Sequence, residues 1–355
     1  MRRRRPRALA GLALIAGLGP ARADEPLRLR LESAAGIDTN ITRSEGTTAT
    51  SGALLRLVLD AADELRTGAL NLGLEYQAGA RHFPGRDEED GVFQVLGGRL
   101  AVRTAPWLVV GLLARLQDRT TRDPEVPRDH ARVLAGPSVD VALGDVRVGL
   151  SAHASRLVYK PDADFSADGL GAGVAVDVPL GPWRVEGRLG WQSLRFDGDR
   201  LAAVGATPTG APFLVRVEGE LRTDTQQSAT VGLRRTGDWL FGAEYTLAAN
   251  TSNSFRAGFT RHLVRTYATV ELPSAFLVSA QLDVQRVVYD DPQFITLETF
   301  IEDENRSSAK LRIERPVVGR WSGVLHLGAW FSPLGGGPDF SRQTALLGVA
   351  CHLDD

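Results

Sequence analysis

A tight turn, followed at once by a large aromatic and an extended run, recurs along this chain about every forty residues. The turns read "TAPW" ending at Trp107, "PLGPW" at Trp183, "TGDW" at Trp239, "LPSAF" at Phe276 and "VVGRW" at Trp321. Pro, Gly and Asp favour the reversals. Weaker members are "DELRTG" ending at Gly68 and "LGDV" ending at Val146. With a first strand near Leu27, the units start at 27, 68, 107, 146, 183, 239, 276 and 321, at intervals of 41, 39, 39, 37, 56, 37 and 45 residues. Each unit has room for two long strands, one short turn and one longer connection. Eight units predict about 16 strands.

Within the units side chains alternate in character. Trp183, Val185, Leu189 and Trp191 share one parity, and Arg184, Glu186, Arg188 and Gln192 the other. Phe276, Val278, Ala280, Leu282 and Val284 stand opposite Ser279, Gln281, Asp283 and Gln285. Successive strand side chains point to opposite faces, so each strand has an apolar row and a polar row. A β-propeller also repeats at this length, but its blades need four strands, and helical repeats need a 3.6-residue apolar period that is not seen.

Polar connections such as "HFPGRDEED" (82–90), "TRDPEVPRD" (121–129) and "DDPQFITLETFIEDEN" (290–305) alternate with the short turns. Short turns at one end and long loops at the other fit a transmembrane barrel. The five aromatics Trp107, Trp183, Trp239, Phe276 and Trp321 would then form a membrane-interface girdle at the short-turn rim. The apolar row would face lipid and the polar row a wet interior. The fold expected is all-β, an up-and-down antiparallel barrel of about 16 strands, with 14 or 18 as alternative counts.

The chain opens with Arg2 to Arg5 and Arg7, a short apolar run from Ala8 to Gly19, and Ala21-Arg22-Ala23. These are the three parts of a secretory signal peptide, 1–23, leaving 24–355 as one barrel domain. The leader holds six Arg and no acid, so its removal shifts the formal charge from −2 to −8. That balance argues against nucleic acid as a partner. A single cysteine, Cys351, excludes an internal disulfide and a Cys-rich zinc site. No later stretch is apolar enough for a spanning helix, which a closed barrel does not need.

The whole pattern resembles Gram-negative outer-membrane β-barrels. "GIDTNI", Gly36 to Ile41, is similar to the G-Y-D-S-N-V stretch near the start of barrels related to the surface lipoprotein assembly modifier family, with Ile37 in place of Tyr. That resemblance implies a translocator barrel carrying a periplasmic tetratricopeptide domain. Strand one begins too soon after residue 23 for such a domain, so a periplasmic partner would be a separate protein. Such barrels close on an aromatic residue; here "LLGVACHLDD" follows the alternation with Gly348, Cys351 and Leu353 and adds two Asp.

The polar row supplies the candidate lining: Arg115, Arg147, Arg184, Glu186, Arg188, Glu244, Arg265, Asp283, Arg312 and Glu314. Arg exceeds acid, which predicts a mild anion preference, since fixed charge sets ion preference in a pore; pairing across neighbouring strands is the other use of such charges. The long interval contains an extra segment, 197–224. It is read either as an extracellular hairpin or as a constriction loop carrying Arg216, Glu218, Glu220 and Arg222 into the lumen, or as an added strand pair. His153 flanked by Ser151 and Ser155 lacks the arrangement of a triad, and no hydrolase, zinc-protease or phosphate-loop motif occurs. No enzyme, cofactor or metal is expected. The leading expectation is a porin-like outer-membrane channel for passive diffusion of small hydrophilic solutes, in contact with outer-membrane lipids and lipopolysaccharide. The alternative is an export or surface-lipoprotein assembly barrel serving a periplasmic partner.

Overall fold

The computed structural model describes residues 27–40, 50–123, 129–206, 212–255, 257–290, 306–332 and 341–353. The leader and most of the 290–305 connection lie outside them. Among the described residues there are sixteen strands. They are β1 (Arg28–Asp38), β2 (Gly52–Thr67), β3 (Leu70–His82), β4 (Gly91–Ala105), β5 (Leu108–Thr121), β6 (His130–Leu143), β7 (Val146–Tyr159) and β8 (Ala167–Leu180). The second half is β9 (Trp183–Ala206), β10 (Pro212–Arg235), β11 (Trp239–Ser252), β12 (Phe259–Leu272), β13 (Phe276–Tyr289), β14 (Ser307–Val318), β15 (Trp321–Phe331) and β16 (Ser341–His352). Each pairs antiparallel with its neighbours in sequence, and β1 pairs with β16, so the sheet closes. Closure pairs each strand of the wall on both sides, so the wall itself has no edge strand.

The turn-and-aromatic units fall where the chain reverses at one rim. Trp183, Trp239, Phe276 and Trp321 open β9, β11, β13 and β15, and Trp107 sits in the turn before β5. Gly181 in "PLGPW" has φ 62°, a left-handed conformation that a side chain disfavours. The segment 197–224 adds no strand pair. It lengthens β9 and β10 to 24 residues each. The wall contributed by β9 ends at Phe196, opposite Ala167, and that of β10 at Asp224, opposite Ser252; beyond those points the two strands pair with each other.

The two parities divide cleanly. Leu31, Leu74, Leu112, Leu170, Leu189 and Leu347 stand exposed on the outer row of their strands. The outer face as a whole carries Leu, Val and Trp on every side, far more contiguous apolar surface than a water-soluble protein tolerates. Such a face belongs in hydrocarbon, with water and charge on the inside.

The seam between β1 and β16 is built of small residues. Ala34 faces Gly348, Glu32 faces Ala350 and Gly36 faces Leu346. A Cβ on Gly36 would run into the Ala345 carbonyl, and one on Gly348 into Ser33 and Ala34. Backbone cannot yield as a flexible side chain can. Gly36→Val should therefore destabilise the barrel by at least the ~1–3 kcal/mol of an overpacked core. The loss would appear as a lower temperature at which the folded band disappears in heat-modifiability gels.

Candidate functional site: the barrel lumen

All ten charged residues singled out above lie on the inner row. Arg115, Arg147, Arg184, Glu186 and Arg188 sit on β5, β7 and β9; Glu244, Arg265, Asp283, Arg312 and Glu314 sit on β11 to β14. Registers fix this: Arg147 is opposite Asp177, Asp177 opposite Glu186, Glu244 opposite Arg265, and Arg265 opposite Asp283. Opposed residues share a face, so one inward assignment carries round the wall.

Most of these charges are paired, in three groups. Along β8 to β13, Arg184 reaches Asp177 at 3.1 Å, Arg188 lies between Glu186 at 3.1 Å and Glu244 at 3.2 Å, and Arg234 joins Glu186 at 3.2 Å. Arg265 donates to Asp283 at 2.9 Å, and Gln281 donates to the same carboxylate. On the β4 to β6 wall, Arg99 crosses β5 to reach Asp140 at 2.7 Å. The third group bridges the seam. Glu32 on β1 is 2 % exposed and accepts from Arg30 and from Arg56 at 3.3 Å, with Arg312 at 3.7 Å and the His326 ring at 2.7 Å. Glu314 meets Arg312 and the His352 ring. His326 lies on β15, two strands from β1, about 10 Å along the sheet. Its own register partner on β16 is Leu346 and that of Glu32 is Ala350, and the one inner residue between those two is Gly348, which leaves the diagonal clear.

The buried inner side chains are not evenly spread. Asp283, Gln285, Val287, Ser308, Glu314, Val324, Ala350, Glu32 and Ala34 are all buried, on β13 to β16 and β1. Near the long-loop end Phe83 packs with Leu54, Ala34 and Leu346. Beside it Arg342 makes a two-pronged contact with Asp38 and lies 4.7 Å from the Trp330 ring. By contrast Leu113, Arg115, Ser138, Ser151, His153, Gln192 and Gln226 on the inner rows of β5 to β10 stay partly exposed, with Gly111 and Gly171 buried between them. Buried side chains are thus denser on the seam side of the lumen than on the β5 to β10 wall.

The extension hairpin does not join these groups. Arg216 pairs with Asp164 in the 163–165 turn and is 56 % exposed, and Glu220 pairs with Arg200. Leu201 is bonded through its backbone to Ser254 and Phe255 in the β11–β12 connection. Arg216, Glu218 and Glu220 thus stand on strands paired with each other beyond the end of the wall and braced by the adjoining loops. Arg222 alone sits at the wall, over the Phe196 ring at 4.1 Å and bonded to Asp224.

Outside, Trp107, Trp239 and Trp321 are exposed at the short-turn rim. Arg235 lies 4.0 Å from the Trp239 ring centre, and Arg315 4.9 Å from Phe276. In the β3–β4 loop His82, Asp87 and Asp90 bring ligand atoms within 4.8 Å of one another, yet Asp90 holds His82 and the Phe83 amide, and Asp87 holds Arg122.

The sequence reading missed Arg56, Arg99, Arg234, His326 and His352 as members of the ion networks. All occupy the inner parity, but only the register shows which acid each one reaches.

No family model matches the chain, and no curated protein matches it. Solved structures of similar architecture do. A BenF-like porin from Pseudomonas fluorescens is 10% identical, with 92% of this chain and 98% of that chain covered at a TM-score of 0.47. OccK2 (OpdF) of Pseudomonas aeruginosa, in complex with glucuronate, is 11% identical over 92% of this chain and 98% of that one, TM-score 0.44. A bacterial polysaccharide outer membrane secretin is 8% identical over 92% and 98%, TM-score 0.45.

Proposed function

We propose that this protein is an outer-membrane channel for passive diffusion of small hydrophilic solutes, made with a cleavable leader, residues 1–23. One observation carries the reading. The buried inner side chains cluster on the seam side of the lumen, whereas polar inner side chains of β5 to β10, Ser138, Ser151, His153, Gln192 and Ser228 among them, stay at least partly exposed. Sixteen strands are enough for an aqueous channel rather than a packed core. Among the described residues the inner face offers charge pairs and hydroxyls. Transport here rests on a wet path, not on a reacting group.

The charge along that path favours anions. The inner rows of β4 to β7 carry Arg99, Arg103, Arg115, Arg119, Arg132 and Arg147 against Asp140. Arg115 has no ion-pair partner among the described residues, and Asp140 is already held by Arg99. Purified protein in planar bilayers should give stable open channels. Their reversal potential in a KCl gradient should have the sign of anion preference, and Arg115→Glu should move it toward cations. Cation preference in the unaltered channel would count against the fixed charge assigned to the path. A barrel that never conducts would remove the channel reading and leave an export barrel with a periplasmic partner as the one to test.

A further inference from the structure

Two adjacent rows of the open wall carry no charge. One row runs Gly111, Ser138, Ser151, Gly173, Gly190 and Ser228 across β5 to β10. The row above it runs Leu113, Gly136, His153, Gly171, Gln192 and Gln226. Charge returns on both flanks. The next row up begins at Arg115 and ends at Asp224, and the next row down contains Asp140 and Arg188. Six strands spaced by about 4.8 Å make a band about 24 Å long. Strands in such barrels tilt by about 35–45°, so a row perpendicular to them climbs about 15 Å through the membrane. The band is an oblique neutral track through a lumen that is otherwise charged.

Its surface is low and rich in hydrogen-bonding groups. The His153 ring lies across Gly171, where a Cβ would collide with it. The Ser228 hydroxyl lies 2.8 Å, and the Ser151 hydroxyl 3.2 Å, from where a Cβ on Gly190 and Gly173 would stand. Short side chains lie down over glycines, so the wall is recessed. Gln192 donates to Ser155 at 3.1 Å. His153 has no hydrogen-bond partner among the described residues, and its ring offers a donor and an acceptor in the neutral form.

We infer that this track binds neutral polyhydroxylated solutes of mono- or disaccharide size. The inference deepens the channel reading and rests on it. An ion leaving water for a neutral row would lose hydration without a counter-charge. A sugar exchanges water hydrogen bonds for hydroxyl, amide and imidazole ones at little net cost. The hydroxyl, amide and imidazole groups repeat from strand to strand and give successive sites along the climb.

The test uses the full-length protein in planar bilayers, reading transient block of the ionic current by maltose. Polyethylene glycol of matched size serves as a neutral solute without repeated hydroxyls, and gluconate as a charged polyol. Maltose should block at concentrations about tenfold below the glycol, a difference of about one well-made polar contact. Ser151→Lys with Ser228→Lys should erase that ratio by charging the track. His153→Ala, a gentler change, should lower it several-fold and guards against a double variant that fails to fold. Equal block by maltose and glycol in the unaltered channel would overturn the inference while leaving the channel reading intact, as would a ratio untouched by either variant. Block by gluconate alone would assign polyol binding to the arginines instead. Failure to conduct at all would remove the channel reading first.

Discussion

Replacing Glu32 by leucine is expected to destabilise the barrel by about 3–5 kcal/mol, the cost of leaving buried charges without their counter-ion. The Glu32 carboxylate is the common acceptor for Arg30, Arg56, Arg312 and His326, which come from four different strands. Without it, cationic groups crowd an interior from which water is largely displaced. Arg312 keeps Glu314, but Arg30 keeps only Asp60, 3.8 Å away. The affected site is the junction of the first and last strands, the pairing with the greatest sequence separation in the fold. Long-range pairings form late and gain least from local propensity. The change should therefore show as faster unfolding as well as a lower urea midpoint, read by tryptophan fluorescence in vesicles. Glu32→Gln keeps the shape and part of the hydrogen bonding and should fall between. If Glu32→Leu unfolds at the midpoint of the unaltered protein, the seam is held by its backbone ladder and small-residue packing alone.

The same seam shows where sequence reading stops. The start of five units was plainly legible, because a turn with Pro, Gly or Asp and then a Trp or Phe is a local signal; those at Gly68 and Val146 rested on the turn and the spacing. Seven short-turn strands begin within two residues of the predicted positions, Leu70, Leu108, Val146, Trp183, Trp239, Phe276 and Trp321. Parity was legible too, since alternation is a property of one strand. The extension of β9 and β10 was visible as a long interval, but whether it rose, dipped inward or added strands depended on contacts with residues 164 and 254, far away in sequence. Partner choice in the lumen was not legible at all. Arg99 passes over β5 to reach Asp140, and His326 passes over β16 to reach Glu32, and both crossings depend on the shear between strands and on small intervening residues. The neutral track is of this kind. Ser138, Ser151 and Ser228 are unremarkable in their own strands, and only register aligns them.

Parity itself makes the second large prediction, a contrast between two positions on one strand. Leu189 is halfway along the wall portion of β9, on the outer row, and is 61 % exposed. Gln192 lies three residues on, on the inner row, between Gly171 and Gln226. Arginine at a lipid-facing position near the bilayer midplane costs about 2–4 kcal/mol, because the guanidinium leaves water for hydrocarbon. Arginine at an inward position keeps its water. Leu189→Arg should therefore lower folding stability in vesicles by about that amount, while Gln192→Arg should stay within roughly 0.5 kcal/mol of the unaltered protein, as surface changes commonly do. Urea titration of refolding into lipid vesicles measures both. In detergent micelles, which deform around a charge, the gap should narrow. If both variants lose stability equally, residue 192 meets packed protein rather than water, and the open path along β5 to β10 is closed at that depth. If neither does, the outer row of β9 is not in hydrocarbon, and the solvent assignment on which the channel depends is reversed or void.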